Sequence, residues 1–169
     1  MEPMRELLAS DHRQTLEFFV VGLRDVSDAS VDQQELLYNA SVLAHHAQVS
    51  TRATAEMPAP NDLGEVFDAF VLDSGLRHDA VMMEIAGAQC LLLAGFFEDQ
   101  MRRRHAIEWY ATLGSDFFRR ASTYDRSPKK AKLLSAISRR FEAWRQRHAQ
   151  LSRELRDRQY LLSLKPVNP

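Results

Sequence analysis

The sequence predicts an all-α protein folded as a single compact bundle of five to seven helices over residues 1–169. The strong helix formers Leu and Ala contribute 41 of the 169 residues, whereas the β-branched Val, Ile and Thr together contribute 18. No stretch alternates apolar and polar residues in the way that a strand between two turns does. Apolar residues instead recur every three or four positions, which is the period of an amphipathic helix.

Three helices are predicted in the first half of the chain. The first covers residues 3–25 and opens with a proline, whose fixed φ suits the first helical turn. The second ends near residue 50 and begins at Ser30 and Gln33, which have the spacing of a capping box. A loop with two prolines follows, and a short third helix is predicted over residues 62–75.

Three further helices are predicted in the second half. The fourth covers residues 78–96 and is apolar on nearly all sides, so we expect it at the centre of the bundle. The fifth covers residues 105–122. The sixth is long and basic. It begins at residue 127, where a capping serine followed by proline is a strong start signal, and it extends to about residue 155 or beyond. Residues 159–169 then form an apolar tail that docks on its own domain or on a partner.

The sixth predicted helix carries an apolar seam in which spacings of three and four alternate over three heptads. Such a seam packs into its own bundle or binds a partner, and both interpretations stay open. With Tyr160 of the tail, its candidate partner-binding residues are Phe141, Trp144, His148, Leu151 and Leu155. The favoured function is therefore a non-enzymatic interaction module that self-associates as a homodimer or binds another protein through this helix.

The charge of the chain is divided unevenly along its length. Residues 1–101 hold five arginines and 17 acidic residues, a net charge of −12, whereas residues 102–169 have a net charge of +11. A clustered basic half can bind nucleic acid by displacing counterions, which gives the second hypothesis, binding of a polyanion through residues 102–158. Packing of acidic helices against basic ones is the alternative. The candidate polyanion-binding residues are Arg102, Arg103, Arg104, Arg139 and Arg140.

The third hypothesis is a helical bundle that encloses a metal ion, haem or small ligand. Its candidate residues are His45, His46 and Glu84, which tertiary packing must bring together because no Glu-x-x-His pair is present in the sequence. The sequence contains no nucleophile elbow and no glycine-rich phosphate-binding loop. No catalytic residue and no cofactor is therefore predicted, and enzymatic activity stays an open question.

The compartment is predicted from the single cysteine and from the absence of a leader. Cys90 cannot form an intramolecular disulfide, as expected in a reducing compartment. The first residues lack the apolar core of a secretory signal. The longest apolar stretch, residues 80–97, contains Glu84 and Gln89 and falls short of the roughly 20 apolar residues that span a bilayer. We expect a cytoplasmic protein without membrane contact.

Overall fold

The computed structural model describes residues 12–53, 79–101 and 107–164. Within these ranges the chain forms seven α-helices and one π-helical turn, and it has no strand, so the prediction of an all-α bundle is confirmed. The elements are α1 (His12–Asp25), α2 (Gln33–Ala53), α3 (Ala80–Leu91), the π turn (Leu92–Phe96), α4 (Glu98–Met101), α5 (Ile107–Tyr124), α6 (Pro128–Arg139) and α7 (Phe141–Leu164). The helix predicted over residues 62–75 lies outside the described residues.

Capping side chains begin three of the described helices, and at α3 the Asp79 carboxylate accepts hydrogen bonds from the backbone N–H groups of Val81 and Met82. The predicted capping box at Ser30 is wrong, because Asp32 stands directly before α2 and its Oδ1 accepts a 3.0 Å hydrogen bond from the Glu35 backbone N–H. The predicted start of α6 is confirmed, because the Ser127 hydroxyl accepts a 3.3 Å hydrogen bond from the Lys130 backbone N–H. A cap therefore acts where its oxygen reaches the third backbone N–H of the following helix.

The apolar helix α3 packs along α5 in the centre of the bundle. Glycines allow this close approach, since a Cβ added at Gly87 would lie 2.9 Å from the Phe118 ring. A Cβ at Gly114 would lie 2.5 Å from Phe141 and 2.7 Å from Cys90. The expected burial of this apolar segment is found from residue 90 to residue 95, whereas Val81 and Ile85 near its start are 64% and 45% exposed. Among the described helices, none combines the length and the apolar character needed to cross a bilayer.

A π turn follows α3 where the chain contacts α7. The backbone N–H of Phe97 donates to the carbonyl of Leu92 over 2.9 Å, which is the five-residue step of a π-helix. The Arg145 guanidinium donates to the carbonyl of Ala94 over 3.2 Å, and a Cβ added at Gly95 would lie 2.9 Å from the His148 Cβ. The π turn therefore lies where α7 packs directly against the backbone of this segment.

The sixth predicted helix is wrong as one continuous segment, because it divides into α6 and α7 at Arg140. The backbone of Arg140 has φ −103° and ψ 21°, outside the α-helical region. Neither glycine nor proline stands at this break. Tertiary contacts account for it, since Arg140 binds a carboxylate of α2 while Phe141 packs beneath Gly114. The C-terminal helix α7 has five arginines and three acidic residues.

Candidate functional site

The apolar seam of the C-terminal region faces the interior of the bundle over most of its length. Phe141 is 3% exposed, Trp144 and His148 are fully buried, and Leu151 is 1% exposed. Leu155 is half-buried at the edge of the core. Tyr160 belongs to α7, but its side chain lies outside the described part of the chain. Among the side chains that the structure describes, this seam therefore reaches the surface only at Leu155.

A buried carboxylate links α2 to the break between α6 and α7. The Glu35 side chain is 2% exposed. Its Oε1 accepts a 2.7 Å hydrogen bond from Arg140 Nε and a 3.0 Å hydrogen bond from the indole Nε1 of Trp144, and its Oε2 binds the same guanidinium. Partners on both oxygens compensate the cost of burying the charge. This arrangement serves the fold, because the bonding atoms of Glu35 are occupied by the chain itself.

A second buried polar contact lies one turn further along α2. Asn39 donates from Nδ2 to the Glu35 carbonyl over 2.8 Å, so its Oδ1 accepts from His148 Nε2, also over 2.8 Å. Complete burial lowers the pKa of His148 from 6.5 to about 3. The other ring nitrogen, Nδ1, is buried and has no hydrogen-bond partner among the described residues. His148 is therefore neutral inside the bundle.

Glu84, a candidate ligand of the third hypothesis, joins three helices. Its carboxylate lies 2.9 Å from Lys130 Nζ and accepts a hydrogen bond from the Tyr38 hydroxyl. Burial first, and then the nearby carboxylate of Glu84, raise the pKa of Tyr38. The contact ties α2, α3 and α6 together, so Glu84 has a structural partner on each side.

The two histidine candidates lie apart from Glu84. His45 is exposed, whereas the ring of His46 packs against Phe97 with the ring centroids 5.2 Å apart. They follow Tyr38, which contacts Glu84, by two turns of α2, about 10 Å along the helix axis. In the described ranges no group of three His, Cys, Asp or Glu side chains could hold a metal ion. The structure does not bring the predicted ligand set together.

Ion pairs join the acidic part of the chain to the basic part. Besides the Glu35–Arg140 and Glu84–Lys130 contacts, Glu98 lies 2.8 Å from Arg153 and 3.5 Å from Arg145. The opposite charges therefore offset one another across helix contacts, as the alternative interpretation of the charge division expects.

The candidate polyanion-binding residues divide into three groups. Arg102, Arg103 and Arg104 lie outside the described residues. Arg140 binds the buried Glu35, so its guanidinium is already held by a carboxylate. Arg139 is exposed on α6. An external anion would find only Arg139 of this set freely presented in the described part of the chain.

An apolar groove lies between α1 and the C-terminal half of α7. Its volume is about 510 Å³. Gly22 allows the two helices to approach, because a Cβ added there would lie 2.8 Å from Leu151 Cδ1. Val21 stands at its margin with 54% of its surface exposed. The lining residues, here called the α1/α7 groove, are Gln14, Glu17, Phe18, Val21, Gly22, Asp25, Leu151 and Leu155.

The exposed face of α1 beside this groove carries opposite charges on either side of Val21. Glu17, Val21 and Arg24 follow spacings of four and three, so they lie within about 60° of one another around the helix. Glu17 and Arg24 are both exposed. Rotation of a second α1 by 180° brings residue 17 of each helix opposite residue 24 of the other. This face of α1 is thus electrostatically complementary to the same face of a second copy.

Neither a family model, nor a curated protein, nor a solved structure matches this chain. The sequence interpretation did not select the α1 residues Glu17, Val21 and Arg24 as a site. The opposite charges at a seven-residue separation around an apolar residue were a signal that could have identified them. Glu35 carries no comparable signal, since its burial depends on Arg140 and Trp144, which are more than 100 residues away along the chain.

Proposed function

We propose that this protein is a self-associating helical module that forms a symmetric dimer through the α1/α7 groove. The observation that carries the proposal is an apolar groove whose α1 rim has self-complementary charges. In a two-fold dimer each α1 lies antiparallel to the α1 of the second copy, and the same patch serves on both subunits. Self-association is thus the activity, with no chemical step required of the chain.

The groove favours a second copy of this chain over an unrelated helix. Glu17 of one copy lies opposite Arg24 of the other, and the symmetry repeats this ion pair on the far side of the axis. Val21 stands near the axis and covers apolar surface of the opposite copy. An apolar centre with a charged rim is the composition of protein interfaces, in which the rim charges fix register and orientation.

The proposal keeps the predicted self-association but changes the surface that performs it. Leu151 and Leu155 of the original seam form the α7 side of the groove. Phe141, Trp144, His148 and Leu151 are all 3% exposed or less, so of the described seam residues Leu155 is the one that a second copy could contact directly. In this dimer α7 contributes only the edge of its apolar seam, and α1 supplies the exposed charges.

The test is the mass of the protein in solution, measured by analytical ultracentrifugation over a wide range of concentration. We expect a monomer–dimer equilibrium for the wild type. Glu17→Arg and Arg24→Glu should each be monomeric, because each places like charges opposite one another twice. The double variant with both changes on one chain should dimerise again. Mixing the two single variants should give heterodimers, since one presents two cations to two carboxylates of the other.

Arg126→Glu is the matched control, because Arg126 is exposed and stands outside the groove. This variant should keep the wild-type equilibrium. At concentrations at which the wild type is monomeric, all variants should melt like the wild type, since the Arg13–Glu17 pair that Glu17→Arg removes is 3.8 Å long, with its side chains 84% and 69% exposed. A monomeric wild type at every concentration would refute the proposal. Failure of the double variant to dimerise would refute the charge arrangement.

A further inference from the structure

A strip of exposed cations runs along the outer face of α6. Lys129, Lys132 and Arg139 are exposed, and no carboxylate of the described residues forms an ion pair with them. We propose that this strip, the α6 basic face, binds the phosphate backbone of a nucleic acid without reading its bases. The site is separate from the α1/α7 groove.

The geometry of α6 aligns these charges. At 100° per residue, Lys129, Lys132 and Arg139 lie within an arc of about 80°, and they extend over about 15 Å of the helix axis. Leu134 is fully buried on the opposite side. A linear array of cations on a rigid helix suits the regularly spaced charges of a nucleic-acid backbone, whose condensed counterions are released on binding.

The sequence of α6 is unusual in a way that points to an anionic ligand. The helix contains no acidic residue, and Lys129 and Lys130 lie in its first turn. Cations at this end oppose the helix dipole, whose positive end is at the N-terminus. Lys130 is offset by Glu84, whereas Lys129 is not. A bound phosphate would relieve this repulsion, which the free protein leaves uncompensated.

A nucleic acid fits this face better than a membrane surface does. Helices that lie on bilayers combine cations with large exposed apolar side chains that enter the lipid. On α6 the apolar residues Leu134, Ala136 and Ile137 are buried in the bundle, and Leu133 is partly buried against it. The exposed face therefore offers charge without an apolar wedge, which suffices for backbone contacts.

Fluorescence anisotropy with a labelled DNA duplex of about two helical turns tests the proposal, with a single-stranded RNA of equal length alongside. The wild type should bind at low salt, and the affinity should fall steeply as salt rises. Lys129→Gln/Lys132→Gln should weaken binding about tenfold at low salt and reduce the slope of log K against log salt by about two. Lys129→Arg/Lys132→Arg should bind like the wild type, since it keeps both charges.

Gln100→Glu/Gln150→Glu is the matched control, because it changes the net charge by the same amount at two exposed positions on α4 and α7. It should bind nearly as well as the wild type. Equal weakening by this control and by the lysine variant would overturn the proposal, since binding would then follow net charge alone. Absence of wild-type binding to either nucleic acid would also overturn it, as would binding to phosphatidylserine vesicles alone.

Discussion

The indole Nε1 of Trp144 donates a 3.0 Å hydrogen bond to the carboxylate Oε1 of Glu35, a residue 109 positions away along the chain. Arg140 donates to the same oxygen over 2.7 Å. Both donors belong to the region where α6 ends and α7 begins, so one buried carboxylate fixes the relation of these helices to α2.

Removal of the arginine that pairs with Glu35 should destabilise the protein. In Arg140→Ala the carboxylate stays buried with only the indole as a donor. We expect a loss of about 2 kcal/mol in the free energy of unfolding, measured by urea denaturation. This loss is smaller than the loss expected on breaking a fully buried ion pair, because the Arg140 side chain is 48% exposed. Arg139→Ala, at an exposed neighbouring position, should change stability by less than about 0.5 kcal/mol; equal losses would contradict the role of Glu35.

Acid should destabilise the protein through His148. Because burial lowers the pKa of this imidazole from 6.5 to about 3, only the unfolded chain takes up a proton between these values. The contribution of the neutral imidazole to the free energy of unfolding is therefore fully present above pH 6.5. It decreases as the pH falls toward 3, by up to about 1.4 kcal/mol per pH unit. Urea denaturation of His148→Gln, which lacks the titrating ring, should give a shallower decline. Parallel curves for the two proteins would exclude this role.

The close packing of α3, α5 and α7 should make Gly114 intolerant of a methyl group. The new Cβ of Gly114→Ala would lie 2.5 Å from the Phe141 ring and 2.7 Å from the Cys90 Cβ, neither of which has free space. We expect a lower free energy of unfolding by about 1–3 kcal/mol, despite the better helix propensity of alanine.

Gly22→Ala is the comparison for this substitution, since the three atoms nearest its Cβ all belong to the Leu151 side chain, with Cδ1 at 2.8 Å and Cδ2 at 3.3 Å. Leu151 borders the open α1/α7 groove and can shift its flexible end. This variant should therefore retain stability within about 1 kcal/mol of the wild type. If both alanine variants were equally stable in urea, the packing at Gly114 would not be the tight contact described.

Cys90 should react with thiol reagents only when the bundle opens. The side chain is fully buried, and burial raises the pKa of its thiol to about 12, so almost no reactive thiolate is present near neutral pH. Ellman's reagent should label the native protein very slowly and the urea-unfolded protein at once. Rapid labelling without denaturant would contradict the buried position. Gly114→Ala should accelerate labelling, because it loosens the contact that covers Cys90.

Several elements follow from local sequence. The serine and proline at the start of α6 place that helix correctly, and residues 90–95 of the apolar segment are buried as expected. The interpretation of Cys90 as an unreactive core thiol agrees with its burial. Local patterns succeed here because a cap acts within four residues and an apolar face must be buried wherever it packs.

Other features depend on partners that are distant in sequence. The break at Arg140 has no local cause, because the carboxylate that Arg140 binds is that of Glu35 on α2. The seam of α7 had two open interpretations, and the burial of Trp144 and His148 assigns most of it to the core. Periodicity gives the apolar face of a helix but cannot state which surface covers it.

The sequence by itself determined that this chain is helical, where α6 begins, and that its charge is divided between two halves. Only the tertiary structure decided how that charge is used, by pairing Glu35, Glu84 and Glu98 with cations from the other half and leaving the α6 basic face exposed. The physical reason is that the two kinds of interaction act over different separations along the chain. Helix formation depends on neighbours within one or two turns, whereas the burial and pairing of a charge depend on which helices meet.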